Sequence, residues 1–198
     1  MKRALIFAIV IFVAFFAGGK FLLNNSNEQL PAVPATKSTT QSIKGTTTAP
    51  RDLPKKLRIE KLKIDASLEH VGMDDKGNMD VPKEPMNAAW YQLGFAPGEK
   101  GSAVIAGHFD DPNGDPAVFY SLDKLRSGDE IDVELQSGKT LTYIVEKTAR
   151  HPFDSFPLQE VFNTTDKPRL NLITCDGVFD KSQSTYLHRF VVYASTPR

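Results

Sequence analysis

The second half of the chain alternates short apolar segments with turn signals, which is typical of β-strands. Residues 131–135 alternate apolar and acidic side chains, as expected of a half-buried strand. A turn at Gly138 and a second alternating segment at 141–145 predict a hairpin. Residues 102–106 are apolar almost throughout and predict a central strand buried on both faces. Further strands are predicted at 57–59, 62–64, 67–71, 79–81, 89–93, 170–174 and 190–194.

Helical spacing is confined to two short segments. Val118, Leu122 and Leu125 recur as on one helix face and predict a short helix over 117–125. A helical turn is expected at 158–162. Because strands dominate and helices are short, the pattern predicts an all-β fold, a closed or nearly closed antiparallel barrel.

The first residues have a different pattern. A basic start at 1–3 precedes an unbroken apolar run at 4–17, the layout of a signal sequence. A helix that spans a membrane needs about 20 apolar residues. Residues 4–23 reach that length if the Lys20 side chain extends to the membrane interface. We expect an N-terminal membrane anchor or signal at 1–23, and favour a retained membrane helix over cleavage near residues 17–19. The basic end then lies inside and the remainder outside the cell.

Residues 24–52 are rich in Asn, Ser, Thr, Pro, Lys and Gln. Such a segment buries too little apolar surface to fold and predicts a flexible stalk. The sequence therefore divides into an anchor at 1–23, a stalk at 24–52 and a folded domain at 53–198.

Composition narrows the possible functions. Lys and Arg together number 24, as do Asp and Glu, so the formal net charge is zero. The sequence contains no motif of a DNA- or RNA-binding protein, so no nucleic acid is expected as a partner. The single cysteine, Cys175, excludes an internal disulfide and a thiolate zinc site. A lone cysteine in an exported domain indicates a reactive thiol or intermolecular pairing.

Three candidate catalytic residues stand at strand ends. Cys175 ends the segment 170–174, His108 follows 102–106, and Arg189 precedes 190–194. A thiol, an imidazole and a guanidinium are the parts of a cysteine acyl-transfer site, in which positive charge lowers the thiol pKa. From composition alone, a single cysteine on an apolar strand is more often a small core hydrophobe.

The other two candidates also have plainer interpretations. His108 fits a surface-loop histidine, and Arg189 an ordinary edge-strand charge. The remaining histidines are alternatives to His108, and the acidic residues after it fit turn chemistry better than a Ca²⁺ loop. These histidines are His70, His151 and His188, and the acidic residues are Asp110, Asp111 and Asp115.

Three motifs occur in the order found in sortases, the membrane-anchored cysteine transpeptidases of Gram-positive-type envelopes. Residues 105–108 (Ile-Ala-Gly-His) resemble the histidine motif, and 172–177 (Leu-Ile-Thr-Cys-Asp-Gly) the Thr-Cys motif. Arg189, before Val-Val-Tyr-Ala at 191–194, resembles the arginine strand. Together with Val-Gly-Met-Asp at 71–74, the motifs look most like class F. In that class the arginine often stands at the position of Leu187.

The resemblance implies a closed eight-stranded sortase-type β-barrel. Cys175 would attack the Thr–Gly carbonyl of an LPxTG-like sorting signal and form a thioester. His108 would be the general acid and base, Arg189 would hold the substrate and the oxyanion, and Thr174 would help to shape the substrate pocket. No metal and no cofactor are implied.

The partners implied are secreted proteins with a C-terminal sorting signal and an amine acceptor from peptidoglycan or another protein. The resemblance places the protein in the cell membrane as a single-pass protein with an extracytoplasmic catalytic domain.

Two alternatives stay open at the level of sequence. A cysteine peptidase or hydrolase with the same residues would resolve the thioester with water. A non-catalytic, membrane-tethered binding domain would not use Cys175 as a nucleophile. An L,D-transpeptidase is disfavoured, because the cysteine of that family stands in a Ser-x-Gly-Cys setting, unlike residues 173–175.

Overall fold

A computed structural model describes residues 51–197. The predicted anchor at 1–23 and the stalk up to residue 50 lie outside the described residues. Arg51 and Asp52, the last two residues of the predicted stalk, contact the folded domain. Arg51 pairs with Glu99, and Asp52 accepts hydrogen bonds from Ser137. No helix within 51–197 is long and apolar enough to cross a membrane.

The predicted eight-stranded closed barrel is confirmed. The strands are arranged around the barrel in the order β1-β2-β3-β4-β7-β8-β6-β5, and β5 pairs with β1 to close it. Their bounds are β1 Pro54–Ile59, β2 Ile64–Val71, β3 Ala88–Tyr91, β4 Gly101–Gly107, β5 Glu130–Leu135, β6 Thr140–Pro152, β7 Pro168–Asp180 and β8 Thr185–Ser195.

The barrel is not antiparallel throughout, so that part of the prediction is wrong. β2 runs parallel to β3, and β4 runs parallel to β7. Parallel neighbours need a long crossover connection. The β5–β6 hairpin and residues 153–167 provide this crossover between β4 and β7. Alternation within a strand does not reveal such a connection.

The predicted helix over 117–125 is also wrong, although its apolar residues are buried. Only a short 3₁₀ helix forms, at Leu122–Lys124. The N–H groups of Tyr120, Leu122, Lys124 and Leu125 each donate to the carbonyl three residues earlier, which is the pattern of turns and a 3₁₀ helix and not of an α-helix. The apolar spacing reflects burial against the barrel core.

Two smaller strand predictions also differ from the structure. Residues 60–62 form a 3₁₀ helix, and Lys63 at φ 56° turns the chain before β2 begins. The segment 79–81 contributes only an isolated bridge between Met73 and Met79.

The sheet buries apolar side chains on both faces. The inside of the barrel holds the main core, which includes Trp90, Phe119 and Tyr143. A second set, here called the outer cluster, contains Val104, Val161, Ile173, Val191 and Tyr193. The helix α1 (Leu158–Phe162), which confirms the predicted helical turn, contributes Val161 to this cluster. β4 is therefore buried on both faces, as predicted.

Candidate active site

Cys175 on β7 stands directly opposite Arg189 on β8 in the antiparallel ladder. Directly opposite residues of neighbouring strands present their side chains on the same face of the sheet. Ile173 and Val191, the next residues of this face, belong to the outer cluster. Since side chains alternate with a period of two, Cys175 and Arg189 also lie on the outer face.

His108 follows β4, the other neighbour of β7. The β4–β7 ladder ends where Ala106 faces Ile173. The same register carried two residues further brings His108 level with Cys175. Val104 belongs to the outer cluster, so the alternation along β4 also leads to the outer face at His108. The structure thus brings the three predicted residues to the same level on three adjacent strands. Only His108 follows the end of its strand, whereas Cys175 and Arg189 lie within β7 and β8, which extend past them.

The imidazole of His108 is oriented by a backbone carbonyl. Its Nε2 lies 2.8 Å from the carbonyl oxygen of Pro82, a buried residue. A carbonyl oxygen only accepts hydrogen bonds, so Nε2 carries the proton and donates it. Nδ1 is therefore the nitrogen left to exchange protons.

The glycine before His108 has a packing reason. A Cβ at position 107 would lie 2.5 Å from the Phe119 ring, which is completely buried. The same phenylalanine donates its backbone N–H to the His108 carbonyl at 2.9 Å. Close packing of Phe119 on Gly107 therefore sets the position of the chain at the histidine.

Arg189 is held by the hairpin that carries it and by one aromatic ring. Its Nη1 donates to the carbonyls of Tyr186 and His188, and its Nη2 donates to Thr185 Oγ1. The guanidinium carbon lies 4.5 Å from the centre of the Phe153 ring, within the range of a cation–π contact. None of these partners is a carboxylate, so the positive charge of Arg189 is not neutralised by them.

The pKa of the Cys175 thiol is raised above its ordinary value. Burial is the largest cause, and the negative charge of Asp110 adds to it. Arg189 acts in the opposite direction and lowers the pKa, as the sequence predicted, but burial outweighs it. The expectation of a lowered thiol pKa is therefore wrong for the free protein, because the thiol is partly removed from water on the outer face.

Thr174 lies on the other side of the sheet from Cys175. It faces Phe190, a residue of the inner core, and is only 4% exposed. Its Oγ1 is buried and has no hydrogen-bond partner among the described residues. A contribution of Thr174 to the substrate pocket would therefore act from behind the thiol, through the backbone of β7.

The other three histidines have different surroundings. His70 bonds the Pro54 carbonyl and packs edge-on against Trp90. His151 bonds the hydroxyl of Tyr193. His188 adjoins Arg189 in sequence but faces Asp176, and alternation places it on the opposite face of β8 from Arg189.

The acidic loop after His108 uses its carboxylates in two ways. Asp111 accepts the backbone N–H groups of Asn113 and Asp115 at 2.8 and 2.9 Å, which confirms turn chemistry there. Asp110 instead accepts a hydrogen bond from the hydroxyl of Tyr186 on β8. Desolvation and this carboxylate raise the pKa of Tyr186 to about 12.

An ion pair lies next to the thiol on the inner side. Asp176, 7% exposed, is bonded to Nε and Nη2 of Arg150 on β6. Sequence reasoning missed this pair, because the two residues come together only through the order of strands in the barrel. It also missed Pro82, Phe153 and Tyr186, whose contacts with the candidate residues all depend on the fold.

A cleft of about 500 Å³ lies away from these residues. Its lining includes Tyr91 and Phe162, which pack edge-on against each other and against the outer cluster. The Arg51–Glu99 ion pair also lines it, and none of the three candidate catalytic residues does.

Comparison with known proteins agrees with this architecture. No curated protein matches the chain in sequence. Sortase C1 from Streptococcus agalactiae is 23% identical with a TM-score of 0.57, over 73% of this chain and 67% of that one. A lid mutant of sortase A from Corynebacterium diphtheriae is 21% identical with a TM-score of 0.57, over 77% and 74%. The sortase D5 transpeptidase of Clostridium perfringens is 20% identical with a TM-score of 0.54, over 74% and 80%.

These structural likenesses concern the barrel. The family assignment comes from a sequence model that spans most of the chain and contains Cys175, His108 and Arg189. The model of the sortase domain matches residues 57–196, and the chain therefore belongs to the sortase family.

Proposed function

We propose that the protein is a membrane-anchored cysteine transpeptidase. It cleaves an LPxTG-like sorting signal between Thr and Gly through a thioester on Cys175, and transfers the secreted protein to an amine acceptor of the cell wall. The observation that carries the proposal is the direct pairing of Cys175 with Arg189, with His108 level with the thiol on the next strand.

The first half-reaction forms the thioester. The Cys175 proton moves to Nδ1 of His108, and Sγ attacks the carbonyl carbon of the threonine. As the C–N bond breaks, His108 returns that proton to the departing glycine nitrogen. A raised thiol pKa means that the thiolate forms on demand, when His108 takes the proton, and is a minor species in the free protein.

Arg189 stabilises the negative oxygen of the tetrahedral intermediate. A guanidinium has five N–H donors. Two on Nη1 and one on Nη2 are engaged with the β7–β8 hairpin, which leaves Nε–H and one Nη2–H for the substrate. One such donor is typically worth about 2.7 to 4 kcal/mol of transition-state stabilisation.

The second half-reaction returns the enzyme to its starting state. The acceptor nitrogen attacks the thioester carbonyl, a C–N bond forms and the C–S bond breaks. His108 takes a proton from the attacking nitrogen and passes it to Sγ. The enzyme then again holds a neutral imidazole and a thiol.

We place the sorting signal along the outer face of β4 and β7, beside residues 153–162. The outer cluster is packed against α1 and supports this face from below, and Cys175, which follows it along β7, is partly exposed. Thr174 supports the thiol from the inner side of the same strand.

The finer assignments rest on sequence. The motifs at 71–74, 101–108 and 172–177 support class F, and the pairing of Arg189 with Cys175 supports Arg189 as the functional arginine. The apolar run at 4–17 supports a single-pass anchor with the domain outside the cell.

The test is cleavage of an LPxTG peptide by the full-length chain in detergent, with and without triglycine. We expect a mass adduct of the acyl fragment on Cys175, and a peptide–triglycine product that grows with acceptor concentration. Cys175→Ala should abolish both.

Two results would reject the proposal. Hydrolysis alone at every triglycine concentration would favour a cysteine hydrolase. Absence of any adduct on folded protein would favour a non-catalytic binding domain.

A further inference from the structure

Asp110 connects the histidine loop to the arginine hairpin. It stands two residues after His108 and accepts a hydrogen bond from Tyr186, which stands three residues before Arg189. Its negative charge acts on the Cys175 thiol. The carboxylate therefore lies beside the candidate catalytic residues.

Asp110 forms no ion pair with any of the residues that the structure describes. Within residues 51–197, no lysine, arginine or histidine nitrogen lies within 4.0 Å of this carboxylate, although eleven ion pairs form elsewhere in that range. Its side-chain partner is a neutral hydroxyl. A half-buried carboxylate in this setting favours a positively charged ligand.

Aromatic rings pack on both sides of Tyr186, the hydrogen-bond partner of this carboxylate. Four of them, here called the aromatic row, are Tyr120, Phe109, Tyr186 and Phe179. Successive ring centres lie 4.8, 5.7 and 5.2 Å apart. Tyr120 and Phe179, at its two ends, are 43% and 47% exposed. Ring faces attract cations and pack against aliphatic chains, so the row suits a ligand that carries an ammonium on an aliphatic or peptide arm.

We propose that Asp110 and the aromatic row form the binding site for the acceptor amine, with Asp110 holding the ammonium and the row holding the arm behind it. This rests on the proposed function and names where the second substrate binds. In this site, Asp110 selects acceptors that bind as ammonium cations.

The chemistry balances as follows. The ammonium binds Asp110 and releases one proton to solvent to become an amine. The amine nitrogen attacks the thioester carbonyl, a C–N bond forms and the C–S bond breaks. His108 carries the second proton from that nitrogen to Sγ. Asp110 concentrates and orients the acceptor and takes no part in bond making.

The experiment compares two nucleophiles on the thioester formed by the full-length chain from an LPxTG peptide. Triglycine presents an ammonium, and hydroxylamine is neutral at pH 7.5. For Asp110→Asn we expect the KM for triglycine to rise about tenfold or more, whereas capture by hydroxylamine changes less than about twofold. Asp110→Glu should recover part of the triglycine KM.

Asp111→Asn is the matched control. It removes the same charge one residue away and keeps an oxygen that can accept the turn hydrogen bonds. Its KM for triglycine should equal that of the natural protein. Asp110→Asn should also form the thioester faster near neutral pH, because a charge that opposes the thiolate is gone.

The outcomes separate the two proposals. A natural protein that forms no thioester rejects the proposed function and the acceptor site with it. A normal thioester whose triglycine KM is unchanged in Asp110→Asn rejects the acceptor site alone. Equal losses with triglycine and hydroxylamine assign Asp110 to supporting the hairpin and also reject it.

Discussion

Cys175 and Arg189 are facing residues of the antiparallel β7–β8 ladder, so the thiol and the guanidinium leave the sheet side by side. The backbone of two paired strands fixes this relationship, and no loop needs to close to create it. Arg189 is in turn anchored by carbonyls of its own hairpin. A substrate carbonyl placed over Cys175 therefore meets a positioned positive charge.

The first prediction concerns the titration of the thiol. Because burial raises the pKa of Cys175, the rate of alkylation by iodoacetamide should rise with pH to a midpoint above the about 8.5 of an ordinary cysteine. Arg189→Met removes the charge that opposes this shift, so its midpoint should lie higher still. Arg189→Lys keeps the charge and should stay near the natural midpoint. A midpoint below about 8 in the natural protein, which is lower than the pKa of an ordinary cysteine, would contradict the burial argument.

The second prediction separates the position of His108 from its chemistry. The amide nitrogen of glutamine can replace Nε2 and donate to the Pro82 carbonyl, but glutamine has no nitrogen that exchanges protons. His108→Gln should keep the melting temperature within a few degrees and lower the acylation rate by about 10² to 10⁴-fold. Stopped-flow acylation and thermal unfolding measure the two quantities. An acylation rate within tenfold of the natural one would remove His108 from the reaction.

The third prediction concerns the ring under Arg189. Phe153 is 46% exposed, and its ring centre lies 4.5 Å from the guanidinium carbon. A cation–π contact at such a site is worth about 0.5–1 kcal/mol, so Phe153→Ala should lower kcat/KM for the sorting peptide about two- to fivefold. Phe153→Trp keeps an aromatic face and should retain activity. Equal kcat/KM for Phe153→Ala and the natural protein would show that the hairpin alone positions Arg189.

The sequence allowed the barrel and the strands that carry the three candidate residues to be predicted, because these depend on local patterns. The predicted strand ends are wrong for two of the residues, since Cys175 and Arg189 lie within β7 and β8. Alternation at 131–135 and the apolar segments before Cys175 and His108 report burial directly, and each became a strand or part of one. The neighbours of β4 could not be predicted in the same way. β7 reaches β4 only through a crossover, so the register that brings His108 level with Cys175 is a property of the closed barrel.

Local sequence patterns could not predict the groups that support the candidate residues, for a different reason. The Pro82 carbonyl is a backbone group, and every residue has one. Only the folded conformation decides which carbonyl meets His108. Tyr186 and Asp110 are separated by 76 residues, and Arg150 and Asp176 by 26. The sign of the Cys175 pKa shift was missed because burial, which opposes Arg189, depends on both faces of the sheet being covered.

The fourth prediction tests the packing that precedes the histidine. Alanine at position 107 places its Cβ 2.5 Å from the buried Phe119 ring, so one of the two must move. Overpacking of this kind typically costs about 1–3 kcal/mol, and Gly107→Ala should lower the melting temperature and slow acylation together. Phe119→Leu in the same chain should recover part of both. Gly72→Ala is the control, since its Cβ meets nothing nearer than Leu93 at 4.0 Å.

The last prediction is a pH dependence of stability away from the candidate site. Glu146 accepts hydrogen bonds from Lys167, Arg169 and Ser195, which lowers its pKa to about 2. A carboxyl whose pKa is lower in the folded state adds stability above its unfolded pKa of about 4.3 and loses it as the pH falls toward 2. Because these side chains are partly exposed, the contribution at neutral pH is about 1 kcal/mol.

Glu146→Gln should therefore be less stable than the natural protein in urea unfolding at pH 7, and the difference should shrink steadily below about pH 4.3. Glu130→Gln is the matched control, because Glu130 is exposed and has no ion-pair partner in the part of the chain that the structure describes. It should track the natural protein at every pH. A Glu146→Gln deficit that stays constant down to pH 3 would mean that the stabilisation by Glu146 depends on the shape of its side chain and not on its charge.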